Sequence, residues 1–412
     1  MSDAENKKFL IIDSRPFGLF SIFLHTIDNI YWAEQNGYIP VVRWGPGRWN
    51  VNAGRPGIDG QITTKVNKGH PKGGPIESTN FFNPDEHTLF EGFAPAGFAE
   101  NGNMTGIKRC LYQNKEGDNP WEYYFNPLNE YTVEQALQSE HLISDTWQYG
   151  GCEQHQRIAV PTTTGEVFNF PDIRKAFLID SLSSYGRIIL RDVIRLSTDF
   201  NNENQKQIRK AQVIYHRYKV HDIIQRITVK KDIKKKIESF KDEYFNNKGK
   251  TLGVHIRGTD KRFERDDEEN FSLRHYIRFI EKYLQEDKTN CIAKWGKENI
   301  KGHTAKIFLA TDSEEVVQII KKIFGNRAIT YPSIRMSEYD SDTPIPLSKL
   351  TGRQHGEEAL IETILLSQCD ALIGSDSNMS LSAAYMNPEL QFILIDTLDQ
   401  RAYFPNKGTI IL

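Results

Sequence analysis

The run Thr251-Leu-Gly-Val-His-Ile256, continued by Arg257, Gly258, Thr259, Asp260 and Lys261, decides the fold of this chain. Six residues with one ionisable side chain, entered from the polar Asn246–Lys250 and left through a glycine, predict a buried strand ending in a turn. Downstream, Leu273, Tyr276, Ile277, Ile280, Tyr283 and Leu284 keep the three- and four-residue spacing of an amphipathic helix. Ile307–Ala310 then reads as a strand, Ser313–Phe324 as a helix closed by Gly325, and Ala328–Tyr331 as a strand. Glu358–Leu366 is predicted helical, Ala371–Gly374 a strand, Met379–Met386 a helix and Gln391–Ile395 a last strand. Strands alternating with helices require right-handed crossovers and a parallel, doubly wound sheet.

The chain opens with the same grammar. Phe9–Asp13 is a short apolar run broken at Ser14–Gly18, and Leu19, Phe20, Phe23, Leu24, Ile27, Ile30 and Tyr31 form a helical stripe. Gly37 stands where a left-handed helix cap belongs, and Ile39–Trp44 is the next strand. From Gly45 to about Gly117 glycines, prolines and asparagines interrupt any period, and so much irregular chain reads as insertions hung on this unit. An aromatic cluster, Trp121–Phe125, precedes a helix predicted over Thr132–Gln138, and residues 172–250 read as mostly helical. Two α/β domains are therefore expected, one over 1–247 with long loops and a helical connector, and a Rossmann-like one over 248–412.

A length of 412 residues suits two domains rather than one core. With 52 lysines and arginines against 54 acids, the net charge of -2 argues against a global nucleic-acid footprint. Residues 203–250 carry 14 basic residues against 6 acids, led by Lys230, Lys231, Lys234, Lys235 and Lys236. That helical face reads as solvated surface, with peripheral contact to acidic lipid left open. The four cysteines form no paired motif, which points to a reducing compartment without a thiolate metal site. Neither a secretory leader nor an apolar run of about 20 residues is seen, so a soluble, cytoplasmic protein is expected. Oligomeric state is not legible.

Ligands of open parallel sheets bind beyond the carboxyl ends of the strands. Three polar loops fall there. In the first, alternation puts His255 and Arg257 on one face, and Arg257 on the Gly258 turn suits a two-oxygen phosphate clamp, or else pairs with Asp260. In the second, Asp312 or Ser313 caps the following helix, or Asp312 accepts from a ligand. In the third, Ser375, Asp376, Ser377 and Asn378 offer hydroxyls and backbone amides at a helix start, as an anion seat or a plain cap.

The peptide Gly253-Val-His-Ile-Arg-Gly-Thr-Asp-Lys261 resembles the G-V-H-V-R-x-T-D-K segment of the α1,6-fucosyltransferases, which include the Nod-factor enzymes of the O-fucosyltransferase-like superfamily. Phe308-Leu-Ala-Thr-Asp312 is similar to that family's Y-L-A-T-D, and Leu366-Ser-Gln-Cys-Asp370 to its L-S-Q-A-D; Ser377-Asn378 and Ala384-Tyr385 match in order. The resemblance covers about 250–396. It implies a GT-B glycosyltransferase, with two Rossmann-like domains and an interdomain cleft holding a nucleotide sugar on the second.

Carried over by position, Arg257 would contact the donor β-phosphate and His255 the nucleoside, with Gly258, Asp260, Lys261, Asp312, Ser375, Ser377 and Asn378 around them. Glu362 stands where the family places an aspartate that reads guanine, and Asn378 replaces a phosphate-contacting serine. The implied reaction is inverting transfer of fucose from GDP-fucose to a glycan, a lipopolysaccharide-type oligosaccharide or a glycolipid. The base would be a glutamate after the Asp-Lys pair, here Glu264 or Glu268. No cofactor and no metal are implied, although Asp340-Ser-Asp342 has a manganese-type spacing. His155 and His355 read as hydrogen-bonded surface or cleft residues, and His25 as one that could face the acceptor. Two other readings keep the scaffold, one with a different nucleotide-sugar donor and one as a silent nucleotide- or carbohydrate-binding protein. Hydride transfer is disfavoured, since no Gly-x-Gly-x-x-Gly follows either opening strand.

Overall fold

The computed structural model describes residues 6–13, 18–44, 112, 114, 118–147, 155–159, 203–245, 249–257, 273–300, 303–335, 352–375, 377–395 and 409–411. In the first unit β1 (Lys8–Asp13) leads into α1 (Leu19–Gln35) and β2 (Ile39–Arg43), followed by two one-turn helices, α2 (Trp121–Tyr124) and α3 (Val133–Ala136). β3 (His141–Trp147) and β4 (His155–Ala159) complete a sheet of order β2-β1-β3-β4 in which β1 is parallel to both neighbours and β4 antiparallel to β3. Alternation along β1 sends Leu10 and Ile12 into the core under α1, and Phe9 and Ile11 into a smaller cluster with Ala136 and Leu142.

Two helices, α4 (Glu203–Ile224) and α5 (Lys231–Tyr244), precede the second sheet. Its elements are β5 (Thr251–Ile256), α6 (Leu273–Trp295), β6 (Lys306–Thr311), α7 (Glu314–Phe324), β7 (Ala328–Ile329), α8 (Gly352–Ser367), β8 (Ala371–Gly374), α9 (Asn378–Met386), β9 (Gln391–Ile395) and β10 (Thr409–Ile411). The order β10-β9-β8-β5-β6-β7, parallel except for β10, is that of a doubly wound sheet. β5 is buried along its whole length. Leu252, Val254 and Ile256 pack with Tyr276 and Ile280 of α6 and Val316 and Ile320 of α7. The opposite face of β5 lies under α8, where Gly253 leaves room for Cys369 and Leu366, whose nearest atoms stand 3.2 Å from where a Cβ would be.

Most sequence expectations hold, with shifts at element ends. α8 begins at Gly352, well before the expected start at Glu358; the Thr132–Gln138 helix contracts to α3, closed at its front by a Thr132–Gln135 capping box. α6 runs on to Trp295, well past the last residue of its stripe. Gly37 has the expected positive φ of 72°. β3 and β4 were not foreseen, because Ser144, Asp145, His155 and Arg157 interrupt their apolar pattern. Asp370, at the end of the Leu366–Asp370 motif, lies at the far edge of the sheet, accepting from Thr251 N at 2.7 Å while its own N–H donates to Thr251 O.

One continuous apolar cluster joins the two sheets, containing Leu10 and Phe23 from the first unit and Phe308, Leu372 and Phe392 from the second. α4 packs on α1 and α9, and α5 on α8. The aromatic run becomes the seam. Trp121 and Phe125 stack among Trp44 and Phe23, while the Tyr124 hydroxyl donates to Arg353 O at 3.0 Å across the units. Tyr112 accepts from Leu19 N at the start of α1 and stacks on His355 of α8. A Cβ at Gly356 would collide with the Tyr124 hydroxyl and ring, so this glycine is required by close approach rather than by turn geometry. Gly356→Ala, which in an open helix would stabilise by about 1 kcal/mol, should instead lower the unfolding free energy by about 1–3 kcal/mol in urea titration.

Candidate functional site at the carboxyl edge of the second sheet

In this strand order the chain turns to opposite sides after β5 and after β8, which opens a crevice between their carboxyl ends. Register puts the candidates there. Ile256 pairs with Thr311 and Val254 with Ile373, so Arg257 and Asp312 lie side by side just beyond the ladder, with Ser375 one step back, level with Ile256. Arg257 and Asp312 are both partly buried; neither stands out in bulk water.

His255 is buried on the α8/α9 side of β5. Its Nδ1 lies 2.7 Å from Ser380 Oγ and 3.1 Å from Ser377 Oγ. Ser377 caps α9, accepting from Ser380 N at 3.2 Å, and its hydroxyl donates to Ser380 Oγ at 3.1 Å. Either ring tautomer fits these hydroxyls: Nδ1 accepts from Ser380 when the ring N–H is on Nε2 and donates to it when the N–H is on Nδ1. Ser380 reaches the ring by crossing Gly374, where a Cβ would sit 2.6 Å from Ser380 Oγ. Ser380 was missed from sequence; the spacing Ser-x-x-Ser across a helix start was its only signal.

Asp312 does not cap α7. Ser313 does, accepting from Val316 N at 3.3 Å, which relieves the aspartate of that duty. Glu362, on α8, is buried and pairs with Arg335 at 3.0 Å. The same Oε1 accepts from Ser333 Oγ at 2.8 Å. Burial outweighs the pairing and, with Glu358 and Asp312 nearby, pushes this carboxyl up to about 7. Arg335 and Ser333 follow β7 in irregular chain with no period to mark them, and sequence reading missed both.

Other expectations fare differently. His25 is buried, with Asn29 Nδ2 3.1 Å from its Nε2, so it belongs to the packing of α1 rather than to an open surface. His355 is driven down to about 4 by burial against Tyr112. Lys236, counted in the basic solvated face, pairs with Glu357. Gly258, Asp260, Lys261, Glu264, Glu268, Asp340 and Asp342 lie outside the described residues, as does Asp376; only the backbone of His155 is described. Ser375 is buried at the end of β8, and Asn378 is the first residue of α9. Among the described residues no group of three or more His, Cys, Asp or Glu is placed to hold a metal, and no helix is long and apolar enough to cross a membrane.

No protein-family model and no curated protein matches the chain. Among solved structures it is similar to the fucosyltransferase NodZ from Bradyrhizobium, at 13% identity and a TM-score of 0.39, over 94% of this chain and 96% of that one. It is also similar to NodZ alpha-1,6-fucosyltransferase soaked with GDP-fucose, at 14% identity and a TM-score of 0.36, over 95% of this chain and 96% of that one. A mutant of Arabidopsis thaliana FUT1 in complex with GDP matches at 12% identity and a TM-score of 0.38, over 99% of this chain and 75% of that one. Scores of this size leave the functional reading to the chain's own residues.

The Glu362 carboxyl carries a pH signature. Its folded value, about 7, exceeds the ordinary 4.5, so the folded state holds this proton more tightly. The resulting stabilisation is full below about pH 4.5 and is lost as pH rises through 7. The unfolding free energy of the wild type minus that of Glu362→Gln should therefore shrink by up to about 3 kcal/mol between pH 4.5 and 8, measured by urea titration.

Proposed function

We propose that this chain is an inverting glycosyltransferase using a GDP-sugar, with GDP-fucose the leading donor, to modify an oligosaccharide or glycolipid acceptor. The observation that carries the reading is the set of groups gathered at the β5/β8 switch point. His255 held by two serine hydroxyls, the partly buried Arg257 and Asp312, and the hydroxyl-rich start of α9 share one sheet edge, with buried Glu362 close to Asp312. These are the positions at which the sequence resembles the α1,6-fucosyltransferases.

In this mechanism the anomeric C–O bond breaks with its electron pair going to the leaving diphosphate. The acceptor oxygen forms the new bond from the opposite face of the sugar and surrenders its proton to a carboxylate. Arg257 neutralises the departing charge from a prearranged position, the kind of electrostatic stabilisation on which catalysis of this type depends. Because a guanidinium supplies that charge, the reaction is proposed to need no metal. Glu264 or Glu268 is proposed as the base, and Asp260 and Lys261 as further donor contacts. The first unit, with its long insertions, is proposed to hold the acceptor, and the protein to work in the cytoplasm.

GDP at a hundred times its dissociation constant should add about 2.7 kcal/mol of stability, readable as a thermal shift absent with UDP, CDP or dTDP. Turnover of GDP-fucose should fall about 100- to 1,000-fold in Arg257→Ala. Equal turnover in that variant removes the arginine from the mechanism, and GDP binding without any transfer or hydrolysis favours a silent nucleotide-binding protein.

A further inference from the structure

Arg335 is the most fully engaged guanidinium whose bonds the structure shows. Its Nε donates to Thr311 O at 3.1 Å, Nη1 to Ser333 O at 2.8 Å, and Nη2 to Tyr331 O at 2.8 Å and Glu362 Oε1 at 3.0 Å. Three carbonyls fix its plane. Thr311 ends β6 immediately before Asp312, so the guanidinium ties the carboxyl edge of the sheet to the third turn of α8. A buried ion pair of this kind gives little net stability, because desolvation cancels most of the attraction. Apolar side chains would fill the same space more favourably, so a role for the charge itself is the better account.

We propose that Arg335 is a positioning residue for the donor nucleotide: it holds the Glu362 carboxylate in one orientation as an acceptor at the edge of the site, and so favours a base with two adjacent N–H donors. The inference rests on the glycosyltransferase reading. Arg335 and Ser333 both occupy Oε1, so the remaining acceptor capacity of the carboxylate lies chiefly on Oε2. Guanine presents its ring N–H beside its amino group and can donate to such an oxygen, whereas adenine has no adjacent ring N–H. Ionised, the carboxylate is an acceptor only and the stronger partner for an N–H, and here several groups oppose ionisation. Glu358 from α8 and Asp312 from the end of β6 raise the carboxyl, and burial raises it most; Arg335 and Ser333 lower it. Tyr331, on the same segment as Arg335, interacts electrostatically with Lys236, Glu357, Glu358 and Glu362. Among the described residues Arg335 is the cation that holds this carboxyl down, so its removal should leave Glu362 protonated at neutral pH.

Isothermal titration of the full chain with GDP and with ADP, from pH 6 to 9, tests this. Wild type should prefer GDP, with affinity rising as pH passes about 7. In Arg335→Met, GDP affinity at pH 7.5 should fall about 10- to 100-fold while ADP affinity is unchanged, and the rise should move to higher pH. Arg335→Lys should restore part of the preference, and Glu362→Gln should abolish the pH dependence in a folded protein; these two variants carry the test should Arg335→Met fail to fold. An unchanged GDP/ADP ratio and pH profile in Arg335→Met, or an equal loss for both nucleotides, makes Arg335 purely structural and overturns the inference alone. Wild type binding neither nucleotide overturns the glycosyltransferase reading as well. Arg257→Ala separates the two, since it should weaken GDP and ADP alike and leave their ratio intact.

Discussion

A strand hydrogen-bonded on both sides and covered on both faces has only its ends available for chemistry. β5 is such a strand, paired with β6 and β8 and buried from Thr251 to Ile256. Its amino end is closed by the reciprocal bonds between Asp370 and Thr251. What remains is the carboxyl end, and there His255 and Arg257 emerge beside Asp312 and Ser375. Every functional statement about the chain follows from that restriction. The ladder fixes which residues are neighbours, and the switch in chain direction opens the space between them.

The restriction also explains the glycines. Gly253 and Gly374 lie on the inner and outer parts of the same face, and each is small because another group must pass over it. At Gly253 the passing group is the end of α8, which seats the sheet. At Gly374 it is the Ser380 hydroxyl on its way to His255. The packing of α8 and the seating of His255 are thus served by one device, a missing side chain, at two depths of one sheet.

The fold of the second unit was legible because its strands are uninterrupted apolar runs and its helices keep their period. Leu252, Val254 and Ile256 announce a buried strand, and Val316, Val317, Ile320 and Phe324 a helix lying on it. The first unit was half legible: β1, α1 and β2 follow the same rules, whereas β3 carries Ser144 and Asp145 within its pairing. For the site, residues on the strand ends were readable by position, since β-strand alternation and the turn signals locate them. Arg335, Ser333 and Ser380 were not, because their roles arise from tertiary approach between segments that no local pattern connects. Glu362 was placed by its resemblance, but that it is paired, buried and hard to ionise became visible only in three dimensions. Asp370 shows the converse: a motif residue that ties the sheet together at the amino end of β5, the end opposite Arg257.

The seam between the two units has its own consequence. Tyr112, Tyr124 and the first turns of α8 interlock through a glycine notch, a ring stack and hydroxyl–carbonyl bonds. Such a joint behaves like a keyed dovetail. Anyone building chimaeras to exchange the front half of this protein for that of another chain would have to transplant residues 112–125 together with 352–356 as one cassette. A crossover placed at the chain midpoint would leave an aromatic key from one parent facing a lock cut for the other.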